Sequence, residues 1–472
     1  MSTGLVRLTV SGPQRRIDLA LPEQVPLAEL LPELLRHAGE GLADDGERHG
    51  GWVLRRTDGH RLRPGQPLQA QGVRDGELLH LVPGRAEWPE LEYDDVVEAI
   101  ADAARGNGAA WSGSATRVAA LVGANVLLAV GLFGILRAGP GWATGAVVAL
   151  GHAALLALAG MVASRAYGAG AAGVTLGGWA MPYAFTGAAL LVTSGDPVGA
   201  IGPVEWLGAP EALAGSAALL VAAVFGAVGV AAGLRVFAAG MIIGLLGALT
   251  ALVGSVLPAA GAAAILISVL VCGIGLLPLL AIRFSRLPIP AITLPSADSR
   301  RTTDGEDPEA ARERPMPDRI YAAVARGEEL LTGLLIGHVV LTIVAALLLV
   351  VTGGFAERLL TAVAAVALLL RARLFVTLRQ RVPLVAGGLA GIGILGLASA
   401  GSAGPARLLG LTIGGLLLAM LTVAAGAAYS RRPPTPYLAR TADLLDSVLI
   451  VSVVPVACAV LGLYARARGL LG

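Results

Sequence analysis

The chain has 472 residues, of which 55% are hydrophobic and only 14% charged, against about 25% charged in an ordinary soluble domain. Mean hydropathy is +0.74, which argues against a wholly soluble protein. The net charge of +2 is too small to imply a nucleic acid or other polyanion as partner.

All 35 basic residues are arginine and 64 residues are glycine; glycine is well tolerated where membrane helices pack closely. Residues 1–20 carry Arg7, Arg15, Arg16 and Asp18 and lack the continuous apolar core of a cleavable signal peptide. The head of the chain is therefore expected to stay in the cytoplasm.

Residues 1–85 read as a compact mixed domain. Leu5–Val10 alternates apolar and polar, as a half-buried strand does, and Arg16–Pro22 alternates again after the turn Ser11–Gln14, which predicts a hairpin. Leu27, Leu30, Leu31, Leu34 and Leu35 then fall at helical spacing, with Pro32 as a possible kink and Gly39 as a stop. A third strand is expected within Gly51–Gly59, a short fourth around His60–Leu62, and a last one in Val73–Pro83 after a turn at Asp75-Gly76. Near the third and fourth strands Arg55, Arg56, Arg61 and Arg63 form a local basic group. It is expected to meet an acidic partner surface, the alternative being a solvated face.

Residues 86–115 read as an acidic linker in which Leu91–Arg105 forms a short amphipathic helix. From Thr116 onward, apolar segments of the length a bilayer core requires recur near 116–136, 142–163, 170–193, 212–233, 236–256, 259–281, 330–352, 356–372, 383–401, 406–428 and 444–465. About eleven transmembrane helices are thus expected, within a range of ten to twelve, with Arg371 and Arg373 truncating the eighth. Residues 283–329 form a charged, proline-rich loop that separates helices 1–6 (116–282) from helices 7–11 (330–472). With the N-terminal domain inside, 17 loop arginines fall inside and 5 outside, a positive-inside bias that places the C-terminus across the membrane.

Ionisable groups inside a membrane are costly and usually functional. Only His152 and His338 are expected well inside a span, each neutral and hydrogen-bonded to a neighbouring helix. Asp443 and Asp446 are read as opening the last helix, where its dipole favours carboxylates. The arginines at 371, 373, 379 and 381 are read as positive-inside anchors. Cys272 and Cys458 lie in apolar runs and are expected to be unpaired. No phosphate-binding loop, HExxH, CxxC pair or GxSxG elbow is present, so no catalytic, metal or cofactor site is expected. The Gly-rich stretches Gly173–Gly178 and Gly387–Gly393 read as close-packing surfaces.

These residues carry a resemblance. RIDLALPEQVPLAELLPELLRHAGE, DDGERHGGWVLRRTDGHRL, GVRDGELLHLVP and LEYDDVVEAIADA, followed by the apolar spans, resemble EccD, the multi-spanning membrane component of type VII (ESX) secretion systems of actinobacteria. The resemblance implies an α-helical polytopic membrane protein with an N-terminal α+β ubiquitin-like β-grasp domain. It implies a non-catalytic, cofactor-free scaffold of a secretion channel in the plasma membrane. It also implies a homodimer packed around a large lipid-lined cavity. Its ubiquitin-like domain would dock the FtsK/SpoIIIE-type ATPase EccC, and EccB and EccE would complete the complex. Two other readings compete: a secondary transporter of a small solute, for which His152 and His338 would be the candidates, and a membrane enzyme, which nothing beyond the many spans supports.

Overall fold

The computed structural model describes residues 4–13, 15–39, 42, 51–84, 111–285, 317–401, 404–431 and 436–471. The chain divides into two compact units, 1–112 and 113–472.

Among its described residues the first unit is a four-stranded sheet carrying one α-helix. Strand β1 (Leu5–Ser11) and strand β2 (Arg16–Pro22) form the expected hairpin, in register from Leu5 opposite Pro22 to Ser11 opposite Arg16. Helix α1 spans Leu27–Ala38, β3 spans Trp52–Arg56 and β4 spans Glu77–Pro83. The strand order is β2-β1-β4-β3, with β4 parallel to β1 and antiparallel to β3. Period-two alternation explains the layering. Val6, Leu8 and Val10 of β1, Leu54 of β3, and Leu79 and Leu81 of β4 point into one core with Leu27, Leu34 and Leu35 of α1. The helix runs through Pro32 and stops before Gly39. The amides of Leu27 and Ala28, orphaned at its N-terminus, donate to the carbonyls of Gln66 and Pro64.

The expected strand at His60–Leu62 is reduced to a single bridge between Arg55 and Arg61. Leu62 still enters the core, 1% exposed. The turn before β4 forms as expected. Gly76 adopts φ +80, a left-handed conformation that favours glycine, and its N–H donates to the carbonyl of Arg7. The Asp75 carboxylate accepts the N–H of Arg7 at 2.7 Å. The linker helix expected at Leu91–Arg105 lies outside the described residues.

Among its described residues the second unit is built of helices. Its helices are α2 (Gly113–Ala138), α3 (Gly145–Arg165), α4 (Gly170–Val192), α5 (Ala209–Gly229) and α6 (Leu234–Gly254). They continue with α7 (Ala259–Gly273), α8 (Leu277–Ser285), α9 (Pro317–Thr352), α10 (Phe355–Arg371) and α11 (Leu378–Gly401). The last are α12 (Pro405–Arg431), α13 (Pro436–Val460) and α14 (Leu463–Leu471). The apolar segments read from the sequence fall on these helices, the sixth being shared by α7 and α8 and the eleventh running from α13 into α14. Among the described residues nine helical stretches are long and apolar enough to cross a membrane. Helices α4 and α10, of 23 and 17 residues, lie between them.

Two boundaries differ from the sequence reading. Helix α9 begins at Pro317, inside the stretch read as loop, because Ile320–Leu330 continues the helical pattern beyond the apolar part. Helix α13 begins at Pro436, two turns before the apolar run. The central part of the expected loop, 286–316, lies outside the described residues.

Helices bury small residues against one another. Gly160 of α3 packs on α4 so closely that a Cβ there would sit 2.8 Å from the Gly177 nitrogen and 2.9 Å from the Gly173 oxygen. Gly387, Gly388 and Gly391 of α11 play the same part against α9 and α10, whereas Gly393 faces open space. The two Gly-rich stretches are therefore packing surfaces, as expected, with the second ending at Gly391.

Candidate functional site: an ion-paired cluster among α7, α10 and α13

Helix α10 is short. It ends at Arg371, and a single 3-10 turn, Ala372–Leu374, follows. Arg371 is 8% exposed. Its Nη1 donates to the carbonyl of Val271 at 2.5 Å and its Nε to Asp446 Oδ1 at 3.3 Å. Val271 lies near the middle of the apolar stretch Ala259–Ser285, and Asp446 lies three turns into α13. The Arg371–Asp446 pair is therefore placed within the apolar bundle. One turn outward, Arg373 Nη2 meets Asp443 Oδ1 at 2.5 Å and Arg373 Nη1 donates to the Ala439 carbonyl at 3.1 Å.

This corrects two expectations. Asp443 and Asp446 do not open the last helix, because α13 starts seven residues before the first of them; they bind two arginines instead. Of the four arginines read as anchors, Arg371 and Arg373 tie α10 to α13, while Arg379 and Arg381 are exposed. Buried charge is scarce among the described residues of the bundle, but its ion-paired exception escaped the sequence reading. The partners are 75 and 70 residues apart, and no local spacing signals such a pair.

The two histidines also depart from expectation. The ring of His152 bonds within its own helix, Nδ1 to the Val148 carbonyl at 2.8 Å, and stacks on Tyr183 at 5.6 Å. His338 is 2% exposed, and its Nε2 has no hydrogen-bond partner among the described residues. Cys272 and Cys458 are free thiols. No group of three or more metal-ligating side chains occurs among the described residues.

Polar and charged side chains also close helix ends among α3, α5, α6 and α9. Arg165 donates to the carbonyls of Val228 and Gly229, both at 2.7 Å, satisfying the C-terminus of α5. Ser164 accepts the N–H of Ala231 at 3.0 Å. Glu329 of α9 accepts the N–H of Arg235 at 3.2 Å and lies 3.7 Å from its guanidinium.

In the β-grasp unit the four candidate arginines do not share one face. Arg56 lies on the core side of β3, where its Nε meets Glu77 at 2.9 Å and its Nη2 donates to the Gln71 carbonyl at 2.9 Å. Arg55 and Arg61 are bridge partners on the opposite face. Arg63 is exposed, its backbone held by Gln71 through bonds of 2.6 and 3.0 Å. Neighbours on a strand point to opposite faces, so adjacency in sequence overstated the patch.

A ubiquitin-like head joined to a bundle of membrane helices, with neither metal cluster nor catalytic motif among the described residues, defines a multi-pass membrane protein of the β-grasp-headed class. The family described as "EccD-like transmembrane domain" matches residues 116–470, and that of "WXG100 protein secretion system (Wss), protein YukD" matches residues 5–81. The chain belongs to the EccD family. It is 28% identical over 490 aligned positions to the ESX-4 secretion system protein eccD4 of Mycobacterium tuberculosis, covering 99% of this chain and 98% of the relative. Among solved structures it resembles protomer 1 of the ESX-3 core complex, with TM-score 0.58 and 20% identity over 98% of this chain and 100% of the other. It also resembles a chain of the MycP5-free ESX-5 inner membrane complex, with TM-score 0.53 and 22% identity over 90% of this chain and 99% of the other. At these identities the solved structures establish the fold.

Proposed function

We propose that this chain is a non-catalytic structural subunit of a type VII secretion complex in the bacterial plasma membrane. The observation that carries the reading is the end-to-end similarity to a secretion-system relative, head and bundle together. The head faces the cytoplasm and the C-terminus lies across the membrane. The arginine bias supports this orientation.

The subunit acts by packing. Its helices associate through glycine contacts and saturated ion pairs rather than through open polar sites. Helix α12 has no buried residue in its most apolar stretch, and α2 has only 6% of such residues buried. Two nearly bare apolar helices support self-association as a homodimer and contact with neighbouring membrane subunits of the EccB and EccE type, with lipid filling what remains. The head docks an EccC-type ATPase, which supplies the energy that a chain without a phosphate-binding loop does not. Arg61 and Arg63, the exposed members of the basic group, are the residues assigned to that contact.

Among the described residues, the Arg371–Asp446 pair is a feature that a solute-transport reading could use beside His152 and His338. Its charges neutralise each other and Arg371 is further held by a main-chain carbonyl, which fits a clamp better than a carrier site. The test is extraction in mild detergent followed by affinity purification of the whole chain. An FtsK/SpoIIIE-type ATPase and further membrane subunits are expected with the wild type. Arg61→Glu/Arg63→Glu is expected to lower ATPase recovery while leaving the membrane subunits in place. Recovery of the chain alone, or unchanged ATPase recovery with the double variant, counts against the docking assignment.

A further inference from the structure

A pocket of about 770 Å³ opens between α6 on one side and α7 and α8 on the other, with α9 as its floor. The helical stretch from Ala259 to Ser285 that lines it tightens midway. Helix α7 stops at Gly273, and a 3-10 turn at Ile274–Leu276 precedes α8. Gly273 lies in the lining, and a Cβ built there would meet nothing within 4 Å.

The lining is almost entirely apolar, from residues such as Leu245, Leu246, Leu270, Leu277 and Leu334. Its two charged or titratable members are Arg326 and His338, both on α9. Twelve residues of helix separate them, roughly 18 Å at 1.5 Å per residue. Arg326 sits one turn before the apolar part of α9, at the membrane's edge, is exposed, and has no acidic partner among the described residues. Glu329, the nearby carboxylate, is already engaged by Arg235. His338 marks the inner end, buried.

We propose that this pocket holds an acyl chain of an anionic phospholipid whose headgroup sits on Arg326. The apolar run matches the depth of one leaflet, about half of a hydrocarbon core roughly 30 Å thick. Its volume lies in the range that small-molecule sites occupy. A lone arginine at the interfacial end is the complement of a phosphate, as in basic pockets between membrane helices. The pocket is formed by helices of a single chain, apart from any cavity that two copies would enclose. The site does not depend on the secretion reading.

The test uses the full chain in nanodiscs of phosphatidylcholine mixed with phosphatidylglycerol, with retained lipid read by native mass spectrometry after transfer to detergent. Phosphatidylglycerol is expected to be retained over phosphatidylcholine. Arg326→Gln is expected to lower its retention about fivefold, while Arg326→Lys largely preserves it. Leu245→Trp, a change at a half-exposed rim position, is expected to reduce retention of both lipids. Arg283→Gln, at an exposed arginine outside the pocket lining, is expected to change nothing. Equal retention of the two lipids overturns the proposal, as does wild-type retention with Arg326→Gln or an equal loss with Arg283→Gln.

Discussion

Asp446→Asn is expected to destabilise the membrane bundle by about 3–5 kcal/mol, the range for breaking a buried ion pair by removing one partner. The reason is what it leaves behind. Arg371 keeps its bond to the Val271 carbonyl but loses its counter-charge, at a position 9% exposed for its side chain and 17% for Asp446. The double change Arg371→Met/Asp446→Leu removes both charges and is expected to recover most of the loss, since apolar replacements of a whole buried pair are often neutral. Asp443→Asn provides the contrast. The Asp443 side chain is 69% exposed, and water screens its pair with Arg373, so the expected cost is below about 1 kcal/mol. Thermal unfolding of the detergent-solubilised chain, followed by size-exclusion recovery, ranks the three variants. A single Asp446→Asn as stable as wild type would show that the pair is hydrated rather than buried.

The second large effect is steric. Gly160→Val is expected to cost about 3 kcal/mol or more, at or beyond the upper end of ordinary overpacking. The atoms that a side chain would strike belong to the backbone of Gly173 and Gly177, at 2.9 and 2.8 Å, and a backbone cannot turn aside as a flexible side chain can. Helices α3 and α4 would have to separate, taking with them the stacked His152 and Tyr183. Gly151→Ala on the same helix meets nothing within 4 Å and is expected to be neutral or mildly stabilising, since alanine is the better helix former. Comparing folded yield and melting temperature of the two variants separates close packing from a general intolerance of side chains in α3.

These two sites mark where the sequence was readable and where it was not. The β-grasp unit announced itself through period-two alternation at Leu5–Val10 and Arg16–Pro22 and helical leucine spacing from Leu27 to Leu35. These are local signals, and each element formed where they placed it. The apolar segments did the same for the bundle, and the Gly-rich runs at 173–178 and 387–391 proved to be contact surfaces. What failed depended on contacts distant in sequence. The strand at His60–Leu62 shrank to a bridge held to β3 by two backbone bonds, Arg56 N–H to the His60 carbonyl and Leu62 N–H to the Leu54 carbonyl. The basic group dissolved because Arg56 turns inward to Glu77. The carboxylates Asp443 and Asp446 looked like caps only while the helix was thought to begin at 444. Once α13 is seen to begin at Pro436, they stand on its second and third turns, facing arginines more than sixty residues earlier. The 3-10 turn within Ala259–Ser285, and the pocket beside it, left no trace in hydropathy because almost every residue around them is apolar.

The proposed role makes this chain a structural subunit on which a type VII secretion complex depends. Secretion of small WXG-motif proteins by the native host tests it most directly, with the gene for this chain deleted and then restored. Loss of their export on deletion is expected, with rescue by the wild-type chain and by Arg371→Met/Asp446→Leu, which removes the ion pair without leaving a bare charge. Unchanged export in the deletion strain would contradict the account, all the more if uptake of a small solute were lost instead.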